Sequence, residues 1–520
     1  LGRLDEALQS YDRALRLDPA LPDAHNNRGS ALQALKRPEE ALQSYARALQ
    51  LKPDLPWLFG AWLYSRLQLC DWEGIGGAVA ELTARIMRGE RATQPFVVLA
   101  VSDAPAVHRR AAEILAQDCA RLSGPAPTPP RRSAVGRLRI GYYSGDFRNH
   151  AMAQLMAGVF ELHDRRRFEL VAFSLGTHAP DQMSERLRVA FDRFLDVSGR
   201  SDREVAQISR ELEIDIAVDL MGFTQGSRPG IFAQRAAPVQ VSYLGYAGTT
   251  GAPYIDYLVA DRTVIPQGAR QYYSEKLIYL PNSYFPNSYR INERRQPPAT
   301  GETSPVQPGL PEAGFVYCCF NNVYKVSPAT FEGWMRILRS VPHAVLWLLT
   351  DNPAAIRNLR AQAERCGVAG TRLTFAQPLP LAQHLARHRA ADLFLDTLPC
   401  GAHTTATDAL WSGLPVLTRA GESLVSRVAA SLLRAIGLPE LITHSGPEYE
   451  ALAIALANDP QRLTGIRTRL DANRLTMPLF DTDLLTRHLE AGYLQIYRRQ
   501  STGLGPDDVE VPADLSQAPA

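Results

Sequence analysis

The sequence predicts an α/β protein: two doubly wound domains behind an all-helical segment. Three observations lead there. A helical repeat with a period of 34 residues occupies the amino-terminal part. Two long stretches then alternate short apolar runs with helix-like runs, the pattern of mostly parallel sheets. Loose segments rich in Pro, "LSGPAPTPPRRSAVG" (Leu122 to Gly136) and "RRQPPATGETSPVQPGLPEAG" (Arg294 to Gly314), separate the parts. The chain has 520 residues, 45% of them hydrophobic, so it can build several cores.

The repeat is read from "RLDEALQSYDRALRLDP" (Arg3 to Pro19), which recurs as "RPEEALQSYARALQLKP" (Arg37 to Pro53). Ala7 maps to Ala41, Tyr11 to Tyr45 and Pro19 to Pro53. This is the signature of tetratricopeptide repeats, helix pairs that bury an apolar face only by stacking on neighbours. Their use is either a concave surface for peptides and proteins or a spacer. We expect repeats over 1–56 and a helical, repeat-like region with its linker over 57–130. The α/β domains are expected over 131–300 and 310–478, a C-terminal helix over 479–500, and a loose tail over 501–520. Strands are read in "RLRIGYYSGDF", "FELVAFSL", "IDIAVDLMGF" and "PVQVSYLGY" of the first domain. In the second they are "FVYCCF", "AVLWLL", "RLTFAQ", "DLFLDT" and "PVLT".

Totals exclude several classes. Net charge is +2, which gives no electrostatic case for nucleic acid or an acidic membrane. No apolar run approaches the roughly 18 residues a spanning helix needs. Six cysteines without a CxxC pair point to a reducing cytoplasm. Neither GxGxxG nor a Walker A motif occurs, against dehydrogenases and P-loop enzymes. No cluster has metal-ligand spacing.

Five stretches carry chemistry. "DLFLDTLPCGAHTTATDALWSGLPV" runs from a strand through Cys400 into a helix entrance at His403, Thr404 and Thr405, with Asp408 one turn on. Open N–H groups at a helix start attract phosphate, but the same residues could simply cap the helix. "FNNVYKVSP" offers Asn322, Tyr324 and Lys325 beyond a strand end. Lys325 is either a diphosphate contact or a surface lysine. In "PLPLAQHLARHRAADL", His384 and Arg387 share a helix face, suited to a nucleobase or merely solvated. "GYYSGDFRNHAMAQLM" brings Asp146 and His150, candidate bases or an Asp cap beside a histidine. "YLGYAGTTG" (Tyr243 to Gly251) is a Gly-rich loop after a strand.

In this order, these motifs, with "YSEKLIYLP" and "GESLVSRVAASLL", resemble the O-GlcNAc transferase family along nearly the whole chain. The resemblance implies a GT-B glycosyltransferase: two Rossmann-like domains, the nucleotide sugar held in the second. Its shape resembles that of the compact bacterial members, which lack the long insert of animal ones. It further implies inverting, metal-independent transfer of GlcNAc from UDP-GlcNAc to Ser or Thr hydroxyls of proteins, with no cofactor. By motif, Lys325 stabilises the leaving UDP, and Asn322, His403, Thr404 and Thr405 hold the diphosphate. Asp408 takes the ribose, while His384 stacks on uracil and Arg387 binds its edge. Leu244, Gly245, Tyr324, Cys400 and His403 line the GlcNAc pocket. His150 and Asp146 compete for the role of base. The protein acceptor would engage the repeats and the cleft.

The chain departs from the family at three places. Leu381 stands where animal members have a ribose-binding lysine, and Ala247 replaces a proline in the sugar loop. Asp103, in "LAVSDAPAVH", lies where a further active-site histidine would fall. Two rivals follow: a related transferase using GDP-fucose, and a repeat-bearing adaptor whose transferase domain has decayed. A sugar-nucleotide epimerase of the same fold would not normally carry the repeats.

Overall fold

The computed structural model describes residues 3–127, 136–295, 310–311 and 314–517. Most of the two segments expected as linkers lies outside them.

Helices span Leu4–Leu17, Pro22–Ala34, Pro38–Leu51, Leu58–Gln68, Ile75–Met87, Pro95–Val101 and Pro105–Ser123. Four of these begin at a proline, whose fixed φ and missing N–H suit a first turn. The repeat signature has a packing cause. Tyr45 lies flat against Gly29, where a Cβ would come within 2.6 Å of its ring. Leu32, Ala41, Tyr45 and Ala48 close this small core.

The remaining helices of the segment do not hang free. Trp72 packs on Phe331 with ring centroids 5.3 Å apart, and Asn358 Nδ2 donates to the Leu69 carbonyl at 2.9 Å. Toward the other domain, Arg109 Nη1 donates to the Gln271 carbonyl at 2.6 Å. Gly251, at φ +60° in the left-handed region, presses on the backbone of Glu113, which a Cβ would meet at 2.5 Å. The helical segment therefore wedges against both α/β domains.

Strands β1 (Leu138–Ser144), β2 (Phe168–Ser174), β3 (Arg193–Asp196), β4 (Ile216–Asp219), β5 (Val239–Ser242), β6 (Tyr257–Asp261) and β7 (Lys276–Leu280) belong to the first domain. The second has β8 (Val316–Cys319), β9 (Val345–Leu349), β10 (Leu373–Ala376), β11 (Leu393–Leu395), β12 (Val416–Arg419) and β13 (Ile442–Thr443). Near the end comes β14 (Val509–Glu510). Every pairing is parallel, for example Ile140 opposite Leu170 and Ile216, and Phe394 opposite Cys318 and Val416. Strand order is β14-β7-β6-β5-β4-β1-β2-β3 in one sheet and β10-β9-β8-β11-β12-β13 in the other. Both are doubly wound, and both reverse direction beside their first strand. Ligands of such sheets sit beyond the strand ends at that reversal. In the second domain it falls between β8 and β11, the strands that carry the Lys325 and His403 motifs.

Two expectations need correction. The stretch after residue 500 is not all loose tail: β14 adds to the edge of the first sheet beside β7. Asp508 anchors it, accepting from Arg270 Nε at 2.6 Å and from the Leu277 N–H at 2.9 Å. The first domain consequently does not end near residue 300. The long helix Thr482–Ser501 returns to it as well, with Glu490 Oε1 2.9 Å from His163 Nδ1 and accepting from the Asp164 N–H at 2.7 Å. Strands β3, β6, β7 and β13 are not among those read from the sequence. Short strands such as Ile442–Thr443 are set by their neighbours and lack a period of their own.

Candidate nucleotide-sugar site

The second domain builds its site from the turn after β11. Asp396 ends that strand with a buried carboxylate. Its Oδ1 accepts from the N–H groups of Thr397 at 2.7 Å and Ala402 at 2.6 Å, and its Oδ2 from Thr418 Oγ1 at 2.7 Å. Asn321 Nδ2 donates to Thr397 Oγ1 at 2.7 Å, joining the β8 exit to the same turn. From outside, Ser327 Oγ and Thr330 Oγ1 both donate to the Leu398 carbonyl, at 2.8 and 2.9 Å. The sequence reading missed Asp396 and Asn321. Their signal was present, polar residues at the ends of apolar strands, but it does not separate turn-builders from ligand contacts.

On this turn stands the helix Thr404–Trp411. His403 occupies the N-cap position, and no side chain caps the helix. The simple-cap alternative for Thr404 and Thr405 therefore fails, and the first N–H groups stay open to an anion. Thr405 Oγ1 donates to Asn321 Oδ1, whereas the Thr404 hydroxyl has no partner among the described residues. Lys325 reaches across from the β8 loop, its Nζ donating to the Gly401 carbonyl at 2.9 Å. An ammonium has three donors, so this bond aims the charge without exhausting it. His403 Nε2 lies 3.2 Å from the Val425 carbonyl, and its basicity is pushed down to about 3 by burial and by the Lys325 charge. The ring is thus neutral at ordinary pH, and its Nε2–H is the donor that carbonyl requires. Asn322 is exposed beside this entrance.

A second cluster lies one strand away. His384 and Arg387 share a face of the helix Leu381–Arg387, and both lie over Phe320, at 5.5 and 5.8 Å. Burial, with Arg387 nearby, lowers His384 to about 4. Arg387 is more deeply placed than a solvated helix face would be, with no exposed surface. Its Nη1 donates to the Gln377 carbonyl at 2.9 Å, while Nε and Nη2 lack a partner among the described residues. Asp408 is buried between the domains. Tyr289, from the first domain, donates to its Oδ1, and His384 Nε2 lies 3.8 Å from its Oδ2.

Burial raises the Asp408 carboxyl to about 7, against the Tyr289 bond, which pulls the other way. An unfolded aspartate titrates near about 3.9. The folded protein therefore keeps a proton that the unfolded chain has lost, and stability falls as pH rises from about 4 to 7. Asp408→Asn is expected to remove that slope, on the order of 3–4 kcal/mol across the window. Its melting temperature relative to the parent should rise between pH 5 and pH 8; an equal difference at both would refute the assignment.

The sugar-pocket candidates stand on two domains: Tyr324 and Cys400 at strand exits of the second, Leu244 and Gly245 just beyond β5 of the first. Tyr324 packs against Tyr64 and Phe96 of the helical segment, at 5.2 and 5.9 Å. Cys400 is buried in the turn, and burial raises its thiol despite Lys325 nearby. In the first domain, Leu244 adopts φ +69, uncommon for a branched side chain. The exposed Gly245 follows, where a Cβ would strike the Leu220 carbonyl at 2.1 Å. Glycine is needed there for the close approach of the β4 and β5 exits.

Asp146 and His150 lie beyond β1. Here the cap is His150 itself: its Nδ1 accepts from the Met152 N–H at 3.3 Å and starts the helix Ala151–Leu162. Asp146 Oδ2 is 3.5 Å from the same Nδ1, and Arg148 Nη2 donates to Oδ1 at 3.3 Å. A nitrogen that accepts from a backbone amide carries no proton, so the neutral ring bears its proton on Nε2. Burial also lowers the basicity of the ring.

Among the described residues no three His, Cys, Asp or Glu side chains are gathered as metal ligands, and no helix is long and apolar enough to cross a membrane.

Comparison with known proteins agrees with this geometry. The model of glycosyl transferase family 41 matches residues 125–296 and 293–489, and tetratricopeptide-repeat models match 1–36 and 22–55. The chain is 36% identical over 469 residues to the probable UDP-N-acetylglucosamine--peptide N-acetylglucosaminyltransferase SEC of Arabidopsis thaliana, covering 86% of this chain and 48% of that one. It is 28% identical over 484 residues to the UDP-N-acetylglucosamine--peptide N-acetylglucosaminyltransferase of Caenorhabditis elegans, covering 72% and 42%. It thus spans about half the length of these relatives. A solved mutant O-GlcNAc transferase of Thermobaculum terrenum superposes with a TM-score of 0.80 at 29% identity, covering 96% of this chain and 95% of that one. With two doubly wound domains, an open helix entrance facing a lysine, and family matches across both, the chain belongs to glycosyl transferase family 41.

Proposed function

We propose that this chain transfers GlcNAc from UDP-GlcNAc to Ser or Thr hydroxyls of protein acceptors, with inversion and without a metal. The carrying observation is the meeting of Lys325 with the uncapped helix entrance at Thr404, at the reversal point of the second sheet. A diphosphate there meets open N–H groups, two hydroxyls and a fixed positive charge. The donor and the peptide acceptor are those named for the relatives from Arabidopsis thaliana and Caenorhabditis elegans, which supports the reading.

In this reading the acceptor oxygen attacks the anomeric carbon on the face opposite UDP. The bond to the β-phosphate oxygen breaks with its electron pair, and the hydroxyl proton passes to a base. Lys325 offsets the charge gathering on UDP. Thr404, Thr405, His403 and Asn322 hold the diphosphate, Asp408 the ribose and His384 the uracil ring. Arg387, whose Nε and Nη2 are uncommitted among the described residues, binds the uracil edge. Leu244, Gly245, Tyr324 and Cys400 shape the GlcNAc pocket. The helical segment, which borders the pocket through Tyr64 and Phe96, guides the acceptor. All six cysteines are unpaired, which fits a reducing compartment.

Titration calorimetry with UDP and GDP, followed by transfer of radiolabelled GlcNAc to a protein lysate, tests the reading. UDP binding and labelled protein are expected. Binding of GDP alone would move the donor to GDP-fucose, and neither binding nor label would favour an adaptor.

Of the two candidate bases, Asp146 is the one free to accept a proton, because His150 Nδ1 already serves as a helix cap. Asp146→Asn should lower kcat about 10²-fold, the usual worth of a positioned base, and His150→Ala under about tenfold. Single-turnover rates in the reverse order would return the role to His150.

A further inference from the structure

Asp103 belongs to the helical segment, yet its carboxylate is spent entirely on a loop some 320 residues away. Oδ1 accepts from the Ser423 N–H at 3.1 Å, Ser423 Oγ at 2.7 Å and Ser426 Oγ at 2.6 Å. Oδ2 accepts from the Glu422 N–H at 2.9 Å. The loop has shaped itself around this group: a Cβ on Gly421 would lie 2.1 Å from Oδ2. All partners are donors, so only an acceptor with lone pairs on both oxygens satisfies them.

The same loop carries Val425, whose carbonyl is the hub of the nucleotide site. It accepts from the Gly401 N–H at 3.2 Å and faces His403 Nε2 at 3.2 Å. Gly401 in turn presents its own carbonyl to Lys325 Nζ. From the other side, Arg427 grips the loop through the Gly421 carbonyl at 2.7 Å and ties it to the Thr263 carbonyl of the first domain at 2.7 Å. Apart from the exposed Glu422 N–H contact, each link is a hydrogen bond between groups that are buried or half-buried, where an unpaired partner is costly.

We infer that Asp103 is a positioning residue of the donor site: by holding the 421–426 loop it sets the Val425 carbonyl, and through it His403, Gly401 and Lys325. The helical segment is then part of the donor site as well as a surface for acceptors. The inference rests on the donor-site reading for its effect on turnover, but the linkage itself needs no nucleotide. A shift of a reacting group by about 1 Å can lower rate 10²-fold, so loss of this hold matters without any contact to substrate.

The test uses the full chain with labelled histidine. In the parent, nitrogen NMR should report His403 as the neutral Nε2–H form, identified by its loss in His403→Gln. In Asp103→Ala, the Val425 carbonyl is released, the His403 ring should populate both tautomers, and kcat should fall about 10- to 100-fold. Asp103→Asn, which keeps the shape but turns one acceptor into a donor, and Ser426→Ala, which removes one hydroxyl, should fall between Asp103→Ala and the parent. They carry the test if Asp103→Ala does not fold. A folded variant with an unchanged His403 signal overturns the inference, whether or not its activity falls, and so does kcat within about threefold of the parent. If the parent binds no UDP, the donor-site reading fails while the His403 signal still judges the linkage.

Discussion

Lys325→Ala is expected to lower kcat about 10²–10³-fold, while the affinity for UDP falls far less. The difference follows from when charge appears. In the proposed site, UDP in the ground state would already be held by helix N–H groups and hydroxyls at Thr404 and Thr405. Additional negative charge develops on its β-phosphate only as the sugar bond breaks, and a donor fixed beforehand at that place acts mainly on the transition state. Lys325 is fixed by the Gly401 carbonyl at 2.9 Å and half-shielded from water, so little reorganisation is left to do. Its charge also acts, after burial, to hold His403 neutral. Steady-state kinetics with UDP-GlcNAc and calorimetry with UDP separate the two effects. Turnover within about threefold of the parent would remove Lys325 from the mechanism.

Asp396→Ala should produce the largest loss of stability, about 3–5 kcal/mol, and abolish transfer. The carboxylate is buried. It is the common acceptor for two backbone N–H groups and the Thr418 hydroxyl, all buried, and substitution by a methyl group leaves each without a partner. The turn from Thr397 to Ala402 carries both Cys400 and the carbonyl that aims Lys325, so its loss reaches the chemistry. Urea denaturation measures the first effect and radiolabel transfer the second. A shift of under about 1 kcal/mol would mean that Asn321 and the Ser327 and Thr330 hydroxyls hold the turn unaided.

How much of this was legible beforehand depends on the range of the interaction. The parallel strands β1, β2, β8 and β9 and the helix entrance at Thr404 are written in local patterns, apolar runs closed by polar or turn-forming residues. So were the site motifs, because a doubly wound sheet puts strand exits on one rim and the sequence marks each exit. What escaped was everything decided between distant segments. Tyr289 closing on Asp408, Asp103 reaching the 421–426 loop, and the full burial of Arg387 depend on how domains dock, which no local period encodes. Asp103 was singled out only as a departure from the family, and its four hydrogen bonds lie with residues about 320 positions on. Likewise, Val509–Glu510 is too short to announce a strand and becomes one only beside β7.

That short strand has a bearing on how the molecule is made. Arg270 and Asp508, which clamp it, are 238 residues apart. As the chain leaves the ribosome, the first sheet can assemble from β1 to β7, but its edge must stay bare while the whole second domain is synthesised. A bare parallel edge is a template for pairing with other chains. The domain begun early is therefore the one finished late, and the interval between the two is where misassembly during expression should concentrate.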